Sequence, residues 1–287
     1  MGYMHIENLY RPDAQVILLF RECYALEKIH GTSAHISWNA GQLHLSAGGE
    51  SAVNFAKLFD VEALTVKFKE LGHEKVTIFG EAYGGKQQAQ SHRYGKVLKF
   101  VAFDANIDGE WLDVPRAYDI VTKVLELEFV SFKLISTSLV DIDAERDAPS
   151  EQAKRNGVEG DQTREGVVLR PRKEFTLAGQ RIIAKHKNDI ERETATPRVV
   201  DDPAKLKVLE DADAIAREWV TLTRLQHVLD KITPDPKMSD TPKVINAMVE
   251  DVLREGSGEL VDTPDARKAI SKATAVMFKK HVSQVRT

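Results

Sequence analysis

The period of the hydrophobic pattern changes near residue 190. Upstream, short runs alternate apolar and polar residues. Ala34-His-Ile-Ser-Trp38 and Gln42-Leu-His-Leu-Ser46 flank Asn39-Ala-Gly41, a hairpin signal. Downstream, Leu209, Ala212, Ile215, Ala216, Trp219, Leu222, Leu225, Leu229 and Ile232 recur at helical spacing. One layer cannot serve both periods, because a strand face repeats every second residue and a helix face about every 3.6. The chain is therefore expected to divide into an α+β domain with antiparallel sheet over 1–195 and a small all-α domain over 204–287. The polar stretch Asn188–Pro203 reads as a linker. A length of 287 residues, against ~150 per domain, agrees.

Further strands are expected in the apolar run Gln15–Phe20 and at Val76–Phe79, Val97–Phe103, Phe129–Ile135, Val167–Leu169 and Arg181–Ala184. Helices are expected at Asn54–Leu71 and Pro115–Leu127. Strands and helices do not alternate regularly, which favours antiparallel pairing. Asp141–Glu165 is polar and dotted with Gly and Pro, the composition of a solvated loop. In the last third a helix is expected over Leu206–Ile232. Asp240-Thr-Pro242 and Asp262-Thr-Pro264 each set a capping residue ahead of a proline, opening helices at about 242–254 and 264–285.

The 40 Lys and Arg against 44 Asp and Glu leave a net charge of −4, and 42% of residues are hydrophobic. That balance specifies a folded chain and excludes a uniformly basic nucleic-acid coat, although not a focused basic patch. Cys23 is the only cysteine, so an internal disulfide and a Cys-based zinc site are excluded, and a cytoplasmic setting is expected. The first residues lack a secretory signal, and the run Val16–Phe20 is far short of a membrane span of ~20 residues. No membrane association is expected.

The chemistry-bearing residues sit at expected strand ends. Glu27-Lys-Ile-His-Gly-Thr32 lies between strand candidates. Thr77-Ile-Phe-Gly-Glu81 ends a strand with a carboxylate, and Phe100-Val-Ala-Phe-Asp104 ends another with an aromatic and an acid. Glu165-Gly-Val-Val-Leu-Arg170 sets a carboxylate before a strand, and Ala184-Lys-His-Lys-Asn188 puts Lys185 and Lys187 on one strand face. Taken singly, each has an ordinary reading: Lys28 as a solvated charge, Phe103 as core, Glu81 and Glu165 as solvated strand ends, His30 as a satisfied loop histidine. Together they are polar groups able to converge on one pocket.

In this order the motifs resemble those of the covalent nucleotidyltransferases, the polynucleotide ligases and mRNA capping enzymes. With His30 before the glycine, the chain is similar to the phage RNA ligases that seal nicks in duplex RNA. Trp219–Arg224 and Val228–Ile232 resemble part of that group's helical C-terminal domain. The resemblance implies an antiparallel-sheet adenylyltransferase domain. It also implies an ATP-dependent RNA ligase that joins 3′-hydroxyl and 5′-phosphate RNA ends through a lysyl-AMP and then an AppRNA intermediate. Implied partners are ATP, Mg²⁺ or Mn²⁺, and duplex or splinted RNA, with the protein acting as a monomer in the cytoplasm (the host's, if phage-encoded).

By the same resemblance Lys28 takes the AMP and His30 serves the later steps. Glu27, Lys28, Ile29, Glu81, Phe103, Glu165, Lys185 and Lys187 hold the nucleotide, with Phe103 stacked on the adenine and Glu27 reading its edge. Glu81 and Glu165 hold the metal. The residue types suit the task. A free lysine has a pKa of ~10.4 and must lose a proton to attack phosphorus, carboxylates suit hard divalent ions, and lysines suit phosphate. The sequence departs from the family at Ser46-Ala-Gly-Gly49, where an arginine is usual, at Ser33, usually Asn, and at Arg170, usually Lys. Gly80-Glu-Ala-Tyr-Gly-Gly-Lys86 imitates a Walker A loop, but Gln87 replaces the hydroxyl residue that loop needs. A DNA ligase, a capping-type enzyme or a non-catalytic RNA-end-binding protein are the alternative readings.

Overall fold

A computed structural model describes residues 2–87, 91–198, 200, 208–232 and 236–285, and divides the chain into units Met1–Asn188 and Asp189–Thr287. The first unit carries two antiparallel sheets. One has the order β11-β8-β1-β7, from β1 (Glu22–Lys28), β7 (Phe132–Ser136), β8 (Gly166–Pro171) and β11 (Ala184–Lys187). The other has the order β3-β2-β4-β5-β6, from β2 (Thr32–Asn39), β3 (Gln42–Ala47), β4 (Lys75–Tyr83), β5 (Lys99–Ile107) and β6 (Glu110–Trp111). A short hairpin, β9 (Thr176–Leu177) with β10 (Gln180–Arg181), stands apart from both.

The β2–β3 hairpin forms where expected. Asn39 pairs with Gln42, and Ala40 and Gly41 both have positive φ, which matches the twist of the flanking strands. Gln15–Phe20 does not form a strand. Pro12 opens a 3₁₀ helix over Pro12–Leu19 that buries Ala14 and Ile17 and leaves Leu19 exposed. The expected helix 54–71 is two helices, α1 (Ala52–Ala56) and α2 (Val61–Glu70), because the Asp60 carboxylate accepts from Ala63 N and starts a new one. After a one-turn helix, α3 (Ser91–Tyr94), the segment Pro115–Leu127 begins as α4 (Val114–Asp119) and widens into a π turn over Ile120–Val124.

The segment 141–165 is not a solvated loop. Ser138 caps α5 (Leu139–Arg146) and Ser150 caps α6 (Glu151–Arg155), burying Ile142 and Ala153. The main core lies under the larger sheet, where Phe55, Phe68, Ile36, Ile78, Val101 and Val121 are fully or almost fully buried.

The second unit contains α7 (Ala212–Trp219), α8 (Leu222–Ile232), α9 (Thr241–Glu255) and α10 (Pro264–Val285). The expected single helix is broken at Val220-Thr221, where the Thr221 hydroxyl accepts from Arg224 N and caps α8. Asp240 does not cap α9 with its side chain; it accepts from Lys237 N instead. Thr263, not Asp262, caps α10, accepting from Ala266 N. The stretch after Asn188 packs on this unit: Ala195 N donates to Glu218 O and the Thr196 hydroxyl to the Glu218 carboxylate. The expected boundary at residue 204 and the start of the stripe at Leu206 lie outside the described residues. Trp219, Leu225, Met248, Val252, Ile270 and Phe278 form the core. No helix among the described residues is long and apolar enough to cross a membrane.

Candidate active site

Three strands set one row of residues in register: Lys28 on β1 faces Gly166 on β8, which faces Lys187 on β11. Residues directly opposite share a sheet face, so both lysines rise on the same side. Gly166 permits this close approach. It has φ +152°, and a Cβ there would lie 2.2 Å from His186 O and 2.7 Å from Lys187 Cα. The preceding residue, Glu165, is the centre of the site. Its Oε2 lies 2.7 Å from Lys28 Nζ and 3.5 Å from His30 Nδ1, and its Oε1 lies 3.5 Å from Lys187 Nζ. Glu165 and His30 are buried, whereas the Lys28 side chain keeps 25% exposure. The nucleophile candidate is thus reachable while the acid that holds it is not solvated.

Glu81 lies on β4 opposite Ser33 and Val101, and is half-buried. It approaches the Lys28 loop through Gly31, where a Cβ would meet Glu81 Cγ at 2.6 Å and Ala82 O at 2.5 Å. Lys185 lies two pairs further along β11, opposite Val168, and its backbone is fixed by Leu9 N donating to Lys185 O and Lys185 N to Glu7 O. The two aromatics of the Phe100–Asp104 stretch differ. Phe100 is buried against Phe55 and Phe59, whereas Phe103 is half-buried in a β-bulge and meets Tyr3 edge-on at 4.9 Å. Ile29 is buried in the core.

Strand alternation points Glu27 away from the Lys28 face. Its carboxylate accepts from the hydroxyls of Ser131 (2.8 Å) and Ser150 (2.5 Å) and from Glu151 N (3.1 Å) and Gln152 N (3.2 Å). These donors engage both oxygens and tie the end of β1 to the start of α6. Burial, with the Glu27 charge second, pushes the Tyr94 phenol far above its ordinary value, so it stays neutral and accepts from His30 N at 3.4 Å.

Sequence reasoning missed a buried charge network on the same sheet face, four residues along β8 from Gly166. Asp104, fully buried on β5, accepts from Arg170 of β8 (2.9 Å) and from Arg181 of β10 (2.6 Å). Glu174 binds both arginines, the Tyr3 hydroxyl donates to Asp104 (2.6 Å), and Arg181 stacks over Trp111 at 4.2 Å. Burial and then Asp104 hold the Tyr3 phenol well above its usual range. These partners join the two sheets. Arg170 is therefore engaged in the interior, a fork-shaped use that a lysine could not reproduce.

The donor chemistry fits a hard divalent cation. Glu165 and Glu81 offer carboxylate oxygens, and Cys23, the one thiol, is buried with its pKa pushed up to about 12. Facing antiparallel sheets with this lysine row constitute a nucleotidyltransferase fold. No curated protein sequence matches the chain. Among solved structures it is similar to Naegleria gruberi RNA ligase, here a lysine-to-alanine mutant with ATP and Mn. The TM-score is 0.52 at 13% identity, covering 66% of this chain and 57% of that one. A lysine-to-methionine mutant of the same ligase with AMP and Mn gives TM-score 0.53 at 14% identity, covering 66% and 56%. This chain therefore spans just over half the length of those ligases. The profile of the RNA ligase family matches residues 21–187, well over half of the sequence, and the chain belongs to that family.

Proposed function

We propose that this protein is an ATP-dependent RNA ligase that seals 3′-hydroxyl to 5′-phosphate ends, at nicks in duplex or splinted RNA. The observation that carries the reading is the Lys28–Glu165–Lys187 cluster, inside the segment that matches the RNA ligase family. In the first step Lys28 Nζ, having given up a proton, attacks the α-phosphorus of ATP. The nitrogen–phosphorus bond forms as the bond to pyrophosphate breaks. Glu165 Oε2, 2.7 Å away, is the nearest acceptor for that proton. Lys187 and Lys185 offset phosphate charge, and Phe103 is the half-buried aromatic available to the adenine. A divalent ion, Mg²⁺ or Mn²⁺, held by Glu165 and Glu81 would neutralise further phosphate charge.

A 5′-phosphate oxygen of RNA then attacks the lysyl-AMP phosphorus, freeing Lys28 and giving the AppRNA end. A 3′-hydroxyl attacks the RNA phosphate and AMP leaves. The neighbours with ATP and Mn or AMP and Mn support the choice of nucleotide and metal. The duplex preference rests on resemblance, through His30 before Gly31 and the helical second unit. That unit would guide RNA while the first performs adenylation, with the protein a monomer in the cytoplasm. The single buried thiol of Cys23 fits a reducing compartment.

Incubation with α-labelled ATP and Mg²⁺ or Mn²⁺ should label the protein covalently and release pyrophosphate, and Lys28→Ala should abolish the label. Absence of label, or a labelled Lys28→Ala protein, overturns the reading. GTP as the better donor would indicate a capping-type enzyme. Nicked DNA as the better substrate would indicate a DNA ligase.

A further inference from the structure

Glu165 and Lys187 each have neighbours in the chain, and those neighbours converge on one helix. Arg164, immediately before Glu165, is buried; its guanidinium donates to the Glu145 carboxylate of α5 at 2.6 Å, to Glu145 O at 3.2 Å and to Pro149 O at 2.9 Å. His186, immediately before Lys187, points to the opposite face from the lysines. Its Nε2 lies 2.7 Å from Asp143 and 2.8 Å from Arg146, both on α5. Asn188, immediately after Lys187, donates its side chain to Asp147 at 2.9 Å and its backbone N to Glu165 O at 2.8 Å. Arg146 joins these contacts, pairing with Asp143 at 2.9 Å and Asp147 at 2.7 Å.

We propose that α5, through Arg146, Asp143 and Glu145, together with its C-cap residue Asp147, is a positioning clamp that fixes Glu165 and Lys187 relative to Lys28. The reasoning is geometric. Side chains on the pocket face are long and touch one another through single contacts of 2.7–3.5 Å. Their relative placement is therefore only as rigid as the backbones that carry them. The β8–β11 ladder is short, with Gly166 and Lys187 its last pair, and beyond that pair Arg164, His186 and Asn188 are each held by α5 or its C-cap Asp147. Hydrogen bonds from the helix and its C-cap reach Arg164, His186 and Asn188, so its members act through those neighbours and are positioning rather than catalytic residues.

The proposal rests on the adenylation reading only for its rate measurement. Arg146→Gln removes the centre of the clamp, and Asp147→Asn, on a half-exposed side chain, is a milder second variant that keeps the test valid if the first does not fold. In single-turnover labelling with saturating ATP, Arg146→Gln should slow lysyl-AMP formation about tenfold and Asp147→Asn about threefold, with full labelling amplitude. A purely structural role would instead reduce the amplitude and leave the rate constant of the folded molecules unchanged. A second readout needs no nucleotide. Trace acetylation of the folded proteins, quantified by mass spectrometry, should raise the reactivity of Lys187 in both variants and leave exposed Lys154 unchanged. If the wild type takes no AMP, the functional reading falls while the acetylation still decides on the clamp. Wild-type rate constants, or wild-type Lys187 reactivity in either folded variant, overturn it.

Discussion

The closest backbone approach at the site is at Gly166, and it makes a quantitative prediction. A Cβ added there would stand 2.2 Å from His186 O, so β11 must retreat from β8 by about 1 Å before ordinary contact is restored. The same substitution strains φ +152°, at roughly 1–3 kcal/mol. Overpacking against backbone adds about 1–3 kcal/mol. Gly166→Ala is therefore expected to lose about 2–6 kcal/mol, which for a unit of this size lowers the melting temperature by roughly 5–20 °C. The displaced strand carries Lys187, and a misplacement of about 1 Å costs on the order of a hundredfold in rate. Calorimetry and single-turnover AMP labelling below the melting temperature measure the two effects. Gly160→Ala is the control: its φ is +76° but a Cβ there meets nothing within 4 Å, so it bears conformational strain without a steric clash or displacement of the lysine. A Gly166→Ala protein that melts with the wild type and labels at the wild-type rate would refute the close approach of β8 and β11.

Other perturbations follow from single side chains. Asp104→Ala leaves Arg170 and Arg181 buried with only Glu174 between them, and should cost about 3–5 kcal/mol in urea unfolding. Burial holds the His186 pKa below its ordinary 6.5 despite Asp143 beside it. Its neutral ring therefore contributes fully above about pH 6.5, and that stability is lost as pH falls through the lower folded-state value. The melting temperature should decline from pH 7 to 5, less steeply in His186→Asn. On α10, Lys268, Lys272 and Lys279 are exposed, lie within about 40° of one another around the axis, and form no ion pair among the described residues, whereas Arg267 is held by Asp262. Replacing the three lysines by alanine should leave AMP labelling unchanged and reduce the salt dependence of RNA binding by a slope of about 2–3; an unchanged slope would place the RNA elsewhere.

What the sequence reveals depends on how far a signal reaches. The β2–β3 hairpin is legible because its turn and alternation are local. Helix α10 is legible because proline and periodicity agree over Pro264–Val285. Strand β1, which bears Lys28, is not, because it lies inside its sheet and buries Cys23, Ala25, Leu26 and Glu27, which removes the alternation. Helices α5 and α6 span only 8 and 5 residues, and their polar faces resemble loop composition. The Asp104–Arg170–Arg181 network joins residues far apart in sequence, so no local pattern announces it. Glu27 shows the limit differently: its place beside Lys28 is legible, but the four groups that engage its carboxylate come from Ser131 and the start of α6.

The placement of Glu165 between two lysines and a histidine gives the proposed cycle an internal order. Before reaction its Oε2 is held most closely by Lys28, at 2.7 Å, while His30 Nδ1 stands at 3.5 Å from the same oxygen. Once Lys28 carries AMP, its nitrogen is bonded to phosphorus and no longer an ammonium, so that oxygen loses its cation. Lys187 still stands 3.5 Å from Oε1, but for Oε2 the neighbouring polar group is His30 Nδ1, so in this buried site the histidine takes over as that oxygen's partner. The histidine therefore matters little while Lys28 is charged and more once it is adenylated. His30→Asn should form lysyl-AMP within about threefold of the wild-type rate, yet pass AMP to nicked RNA at least tenfold more slowly. Equal slowing of both steps would mean that His30 supports the resting site instead, and the ordering drawn from Glu165 would be wrong.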